Sequence, residues 1–177
     1  MRVVFDTCVL VPSFLRAVLL ACAETGNVEF IVSPRILEEW GRAAKTYLQR
    51  LEAETAVAQF RLKFAITIRP DPVSLVQFWL PDPDDIHILA FAVHQHADVI
   101  VTHNKKDFPQ GELSSYGIER IDPDAFLRRL LKQHGAKIAS ATQPIMAEVR
   151  AAHVNLSESD IWRKAWLPQF GRLIKKL

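Results

Sequence analysis

The sequence predicts an α/β fold with a central parallel sheet, and three observations lead there. Short apolar runs suited to buried strands alternate with amphipathic stretches at helical spacing over the first 131 residues. The run from Asp98 to Thr102 is continuously apolar inside, the pattern of a parallel strand covered on both faces. Carboxylates recur just past strand ends and in the first turns of helices, positions that meet at one edge of such a sheet.

Arg2-Val3-Val4-Phe5 reads as the first strand, with Asp6 at its C-terminal end. Val9 to Ala23 reads as a helix that tolerates Pro12 near its first turn and is stopped by Gly26-Asn27. Val28 to Val32 is a second strand. Ser33-Pro34 opens a helix, the serine as cap and the proline at the first helical position. Ile36, Trp40, Ala44, Tyr47 and Leu51 then run down one face, a pattern that continues, with room for a break, to Phe64. Ile66 to Ile68 suits a short third strand and Val73 to Leu80 a short helix.

The stretch from Pro81 to Phe108 organises the rest. Asp82, Asp84 and Asp85 open it; Ile86, Leu89, Ala90, Val93 and Ala97 mark one face of a helix; the apolar strand follows; Asp107 closes it. Gly111 to Tyr116 is a turn or a single helical turn, and Ile118 to Ile121 a last strand. Asp122-Pro123 or Asp124 starts a helix through Leu131, and Gly135 marks a boundary. Gln143 to His153, Ser157 to Trp166 and Gln169 to Leu177 read as short helices, with Ser157 and Asp160 spaced as a capping box. The expected organisation is a body at 1–131 and a basic helical extension at 132–177.

Nearly half the 177 residues are apolar and a quarter charged, which suits a soluble globular domain with a small appendage. No apolar run approaches a membrane span and residues 1–20 lack a signal-peptide cleavage pattern, so no membrane partner is expected. Cys8 and Cys22 have no metal-ligand spacing, which predicts free thiols and a cytoplasmic protein. The net charge of +2 is unevenly spread: residues 126–177 hold ten Lys/Arg against three Asp/Glu, a net +7, and the remainder is −5. That split fits either a polyanion substrate beside an acidic cation site or plain solvation of the terminal helices. No G-x-G-x-x-G follows the first strand and no P-loop occurs, so dinucleotide and nucleoside-triphosphate cradles have no support.

Asp6, the pair Glu38 and Glu39, the trio Asp82, Asp84 and Asp85, and Asp107 all fall at the carboxyl edge of the predicted sheet. Clustered acids raise one another's pKa, and a hard divalent cation relieves that repulsion. Oxygen-only ligation selects Mg²⁺ or Mn²⁺ over zinc, and such metals support phosphoryl displacement by water. Acids in first turns also complement the helix dipole, which by itself accounts for Glu38, Asp82 and Asp84, and less well for Asp6 and Asp107. Relief of repulsion predicts that removing a ligand carboxylate, as in Asp6→Asn, leaves or raises stability in metal-free buffer.

V-V-F-D-T-C-V-L at 3–10, S-P-R-I-L-E-E-W at 33–40, D-P-D-D-I-H-I-L-A-F-A at 82–92 and V-T-H-N-K-K-D-F at 101–108 together resemble the PIN-domain family of metal-dependent nucleases, most closely its toxin-like VapC branch. The resemblance covers residues 2 to about 131 and implies a three-layer PIN-like fold. It implies a Mg²⁺- or Mn²⁺-dependent ribonuclease whose catalytic, metal-holding acids are Asp6, Glu39, Asp85 and Asp107. Glu39 is chosen over Glu38 because the family's acid stands six residues after the strand-end serine, here Ser33. Asp85 is chosen over Asp84 and Asp82 because small residues follow at +5 and +7, here Ala90 and Ala92; Asp82 is then an N-cap. Thr102 and Asn104 match supporting polar positions that orient a metal-bound water or a phosphate. The resemblance further implies an RNA substrate, an antitoxin partner that occludes the acidic groove, and a homodimer. Cys8 departs from the Asn or Ser common after D-T, and a thiol is a poorer hydrogen-bond partner for the local water network.

His87 and His94 are seven apart, roughly on one helix face, without the partners a zinc site needs; they read as surface or satisfied residues. His103 and Lys105, and in the extension Arg163, Lys164 and Arg172, are candidate RNA contacts. Trp162 and Trp166 are one helical turn apart and read chiefly as packing or an antitoxin groove, with base stacking the other use of such rings. Two rival functions remain. A phosphatase with Asp6 as nucleophile needs an acid at position 8, where Cys8 stands. A non-catalytic PIN-fold scaffold binding RNA or protein is opposed by the intact four acids.

Overall fold

A computed structural model describes residues 1–26 and 28–177. The chain forms an α/β fold with a central sheet whose strand order is β2-β1-β3-β4, from β1 (Arg2–Phe5), β2 (Glu29–Ile31), β3 (Val99–Val101) and β4 (Glu119–Ile121). Strand β1 is parallel to both neighbours, Val4 pairing with Ile31 on one side and Ile100 on the other. Val3, Val4, Phe5, Val99, Ile100 and Val101 are all buried, as continuous apolar strands require.

The chain divides into two units, one of residues 1–11 and 29–120, the other of residues 12–28 and 121–177. The first holds the sheet edge of interest together with α1 (Thr7–Leu10), α3 (Pro34–Arg42), α4 (Tyr47–Lys63), α5 (Ile86–His94) and α6 (Gln110–Ser114). The second holds α2 (Ser13–Thr25) and the C-terminal helices α7 (Pro123–Ala152), α8 (Glu158–Lys164) and α9 (Pro168–Ile174).

Several elements differ from the sequence expectation for local reasons. The helix expected at 9–23 is two helices, α1 and α2. Pro12, extended at ψ 115°, stands at the N-cap of α2 rather than inside a first turn, since it cannot donate to the preceding turn. Asn27, half of its expected stop signal, lies outside the described residues. The single face expected from Ile36 to Leu51 breaks at 43–46: Trp40 is buried, but Tyr47 and Leu51 are exposed. The cause is a fresh N-terminus. Thr46 caps α4 in a full capping box with Gln49, a pairing spelled out by T-x-x-Q. Phe60 then anchors α4, its ring edge-on to Trp40 at 5.8 Å and packed on Phe64 at 4.9 Å.

The expected strand at 66–68 is a turn of 3₁₀ helix, Ala65–Thr67, followed by one parallel bridge between Ile68 and Val32. The helix expected at 73–80 is absent. Val73 and Val76 are almost fully exposed while Phe78 and Leu80 are buried, so the segment is held at alternate residues and has no helical stripe to bury. Gly135, at φ 17° and ψ −97°, breaks the helical geometry of α7 at the expected boundary, and the helix resumes beyond this kink through the expected 143–153 segment.

In the second unit α2 packs on α7, and α7 and α8 on α9. Helix α9 starts at Pro168 without a capping side chain of its own. Asp124 on α7 takes that role, accepting the Gln169 and Phe170 N–H groups at 3.0 and 2.9 Å.

Candidate functional site

The site begins where β1 ends. Asp6 caps α1 and is 4% exposed. Its carboxylate accepts the Thr102 hydroxyl at 2.6 Å, the Cys8 thiol at 2.9 Å and the Cys8 N–H at 3.4 Å. Thr102 in turn accepts the Asn104 N–H at 2.9 Å, and the Asn104 side-chain amide donates to Asp85 at 3.2 Å. Thr102 and Asn104 therefore tie the acid after β1 to the acid before α5, so their hydrogen bonds orient carboxylates.

Cys8 is drawn into the same network. Burial, then the neighbouring Asp6 charge, pushes it up to about 12, so it remains a protonated donor to Asp6. Its sulfur accepts the His103 N–H at 3.4 Å.

Asp82 caps the 3₁₀ turn Pro83–Asp85, accepting the Asp84 N–H at 2.9 Å, and Pro83 sits at the first helical position. That turn sets Asp85 at the entrance to α5. Asp107 lies in the loop after β3, held by the buried Phe108 beside it. Arg120 clamps this loop, donating to the Phe108 carbonyl at 2.8 Å and the Lys105 carbonyl at 3.0 Å. Gln110 braces the same corner through the Ile118 carbonyl and the Arg120 N–H.

The outcome is a trio. Carboxylate oxygens of Asp82, Asp85 and Asp107 lie within 4.8 Å of one another. Asp85 carries the electrostatic cost, raised to about 7 by burial first and then by the charges of Asp6, Asp82, Asp107 and Glu39. A cluster of hard oxygen donors under mutual repulsion could hold a divalent cation.

Glu39 is placed differently. Burial would raise its carboxyl, but His87, Thr7 and Arg35 outweigh that and hold it below the usual range. His87 Nε2 lies 2.7 Å from one oxygen, with Arg35 Nε at 3.5 Å, and the Thr7 hydroxyl donates to the other at 3.0 Å. Glu38 instead pairs with Arg42 on its own helix at 3.4 Å. His87 is 2% exposed whereas His94, on the same face two turns later at the end of α5, is exposed. The reason is that α5 is buried on nearly every side from His87 to Ala92, and no polar stripe is left for His87.

Sequence reading missed three contributors: Asp82 as a member of the trio beyond its capping role, His87 on Glu39, and Arg120 behind Asp107. The D-P-D-D-I-H spacing carried the signal for the first two; Arg120 has none, because its role is made by a loop folding back on β4. Of the candidate RNA contacts, His103 joins the site through its backbone N–H and Lys105 is exposed on the Asp107 loop. Arg163, Lys164 and Arg172 belong to the second unit; Arg163 pairs with Asp160 and Arg172 with Gln169.

A family model described as PIN domain matches residues 2–106, a span that carries the site's acids except Asp107, whose supports Phe108, Gln110 and Arg120 also lie beyond it. Among curated proteins, the chain is similar to one described as "Putative ribonuclease VapC50" from Mycobacterium tuberculosis (strain ATCC 25618 / H37Rv), 51% identical over 43 residues. That alignment takes in 24% of this chain and spans a quarter of the relative's own length. No solved structure matches the chain with significance.

Proposed function

The chain belongs to the PIN-domain family, and from that premise we propose that it is a Mg²⁺- or Mn²⁺-dependent endoribonuclease that hydrolyses RNA phosphodiester bonds. The observation that carries this reading is the trio Asp82, Asp85 and Asp107, with Asp85 raised to about 7 by burial first and then by the like charges around it, which a bound cation would offset. Asp85 and Asp107, with Asp82 beside them and Asp6 and Glu39 completing the acidic edge, would hold the metal. A bound divalent cation supplies positive charge for the developing phosphoryl negative charge and lowers the pKa of coordinated water.

The chain's own residues supply the order. The Thr102 hydroxyl and Cys8 thiol hold one Asp6 oxygen and the Cys8 N–H the other, and Asn104 fixes Asp85, so the acids keep their orientation through turnover. His87, Thr7 and Arg35 hold Glu39 ionised. One of these carboxylates accepts the proton from the attacking water.

The similarity to a VapC relative supports the role of toxin in a type II toxin–antitoxin pair, acting in the cytoplasm. An antitoxin would cover the acidic edge. The exposed Tyr47, Leu48 and Leu51 of α4 offer apolar surface that it or a second copy in a homodimer would bury. No helix of the described residues is long and apolar enough to cross a membrane.

The test is cleavage of a single-stranded RNA by purified protein with Mn²⁺, with Mg²⁺ and with EDTA. Cleavage should require the metal and be abolished in Asp85→Asn and Asp107→Asn. Metal-independent cleavage, or none with any RNA, would refute the reading.

A further inference from the structure

Trp162 within α8 and Trp166 just past its C-terminal end have separate fates. Trp162 is 2% exposed, its ring centroid 5.3 Å from Phe14 and 5.4 Å from Phe170, and a Cβ on Gly171 would collide with it. It is a packing residue. Trp166 is 60% exposed and has φ +56°. The Leu167 N–H returns to the Trp162 carbonyl at 2.9 Å and the Trp166 N–H to the Arg163 carbonyl at 3.1 Å. This is a Schellman ending, whose left-handed residue is ordinarily glycine. A bulky aromatic strains the backbone there, and strain of this kind persists at positions with a use for the side chain.

The ring stands at a cavity of about 300 Å³ within the second unit, walled by Phe14, Leu156, Ile161 and Trp166. That volume is at the small end of ligand pockets. Among the described residues the polar side chains that line it are Ser13, His153 and Lys164, with no carboxylate. Apolar walls, an exposed indole and a rim of donors match a heterocycle with a polar edge and an attached phosphate. The net +7 of residues 126–177 favours a polyanion over an apolar protein segment.

We propose that this cavity is a nucleobase site, in which an unpaired RNA base stacks on Trp166 and Lys164 meets an adjoining phosphate. The proposal rests on the ribonuclease reading and gives the enzyme a grip on substrate that uses none of the catalytic acids. Base-on-aromatic stacking tolerates any base, so the site would select single strands over duplex rather than one sequence.

The experiment measures binding of a fluorescent single-stranded RNA in EDTA, so that no cleavage intervenes, beside a backbone-matched abasic oligonucleotide. The variants are Trp166→Gly, Trp166→Phe and Lys164→Ala. Glycine suits the left-handed position, so Trp166→Gly should keep the melting temperature while weakening RNA binding about tenfold or more. Trp166→Phe should retain most of the affinity. Abasic binding should be weaker than RNA in the parent protein and insensitive to Trp166→Gly, whereas Lys164→Ala should weaken both and flatten the salt dependence. Unchanged RNA affinity in Trp166→Gly overturns the proposal and leaves the cavity to an apolar protein partner. A parent protein that cleaves RNA while Trp166→Gly keeps parental KM overturns the base site alone. A parent that neither binds nor cleaves RNA overturns the ribonuclease reading as well.

Discussion

Replacing Asp85 by Asn should stabilise the metal-free protein, by an amount that grows as pH rises from about 4 and levels off just above 7. The folded protein raises Asp85 from its ordinary 3.8 to about 7. A raised carboxyl contributes its full stability below pH 3.8, where both states are protonated, and loses it as pH rises through about 7. Each pH unit of displacement is worth about 1.36 kcal/mol, an upper limit of about 4 kcal/mol. Asp85 is only half-buried, so solvent screening brings the expected gain down to about 1–2 kcal/mol. For a chain of this length that is roughly 3–6 °C in melting temperature. Asparagine keeps an acceptor for Asn104, so the variant removes charge without orphaning its neighbour. Thermal unfolding in EDTA at pH 4 and pH 8 reads the effect: parity at the lower pH, a higher Tm for the variant at the upper. Mn²⁺ should reverse the order at pH 8, because binding stabilises only the parent. A variant no more stable than the parent at pH 8 in EDTA would refute the argument that the trio is repulsive.

Asp6→Asn should behave oppositely, although removal of a site carboxylate was expected to leave stability intact or raise it. Asp6 is buried under donors from Thr102 and Cys8, and an amide in its place opposes a donor to a donor, so a loss of about 1–3 kcal/mol should appear in denaturant unfolding. Arg120→Ala removes both clamps on the Asp107 loop, and should cost about 1–3 kcal/mol and lower kcat for RNA cleavage more than it raises KM. Gly171→Ala drives a methyl into the Trp162 ring, and should lower stability by about 1–3 kcal/mol in thermal melts while Mn²⁺ binding in calorimetry persists.

What the sequence made legible was whatever depends on periodicity and caps. The β1 and β3 strands, the Ser33 and Asp122 caps and the helix from Ile86 follow from apolar runs and from side chains that satisfy orphan N–H groups nearby. The acidic edge was legible for the same reason: a strand end and a helix start are local events. Illegible were the features made by distant contacts. Nothing near Val73 announces that Phe78 and Leu80 anchor an extended segment. Asp124 capping a helix 45 residues away depends on how α7 and α9 pack. The His87 contact with Glu39 needs α5 to be buried all round, whereas its apolar stripe alone implied one wet face. The resemblance to the family singled out Glu39 over Glu38; in the fold Glu38 pairs with Arg42 on its own helix while Glu39 faces His87.

The division of the chain into interleaved units has a consequence for synthesis. Helix α2 ends at Thr25, and its partner α7 begins at Pro123, 98 positions later. At roughly 5–20 residues per second a ribosome needs about 5–20 s to deliver that partner. Throughout this interval Leu15, Val18, Leu19, Cys22 and Ala23 form an apolar stripe without the helix that later covers it. The strands on either side, β1 and β2, are complete much earlier and can pair while α2 waits as a loop between them. Translation speed across residues 26–122 thus sets how long a nascent chain offers this stripe to chaperones or to other chains. Slowing elongation there should lower soluble yield without altering the finished protein's melting temperature.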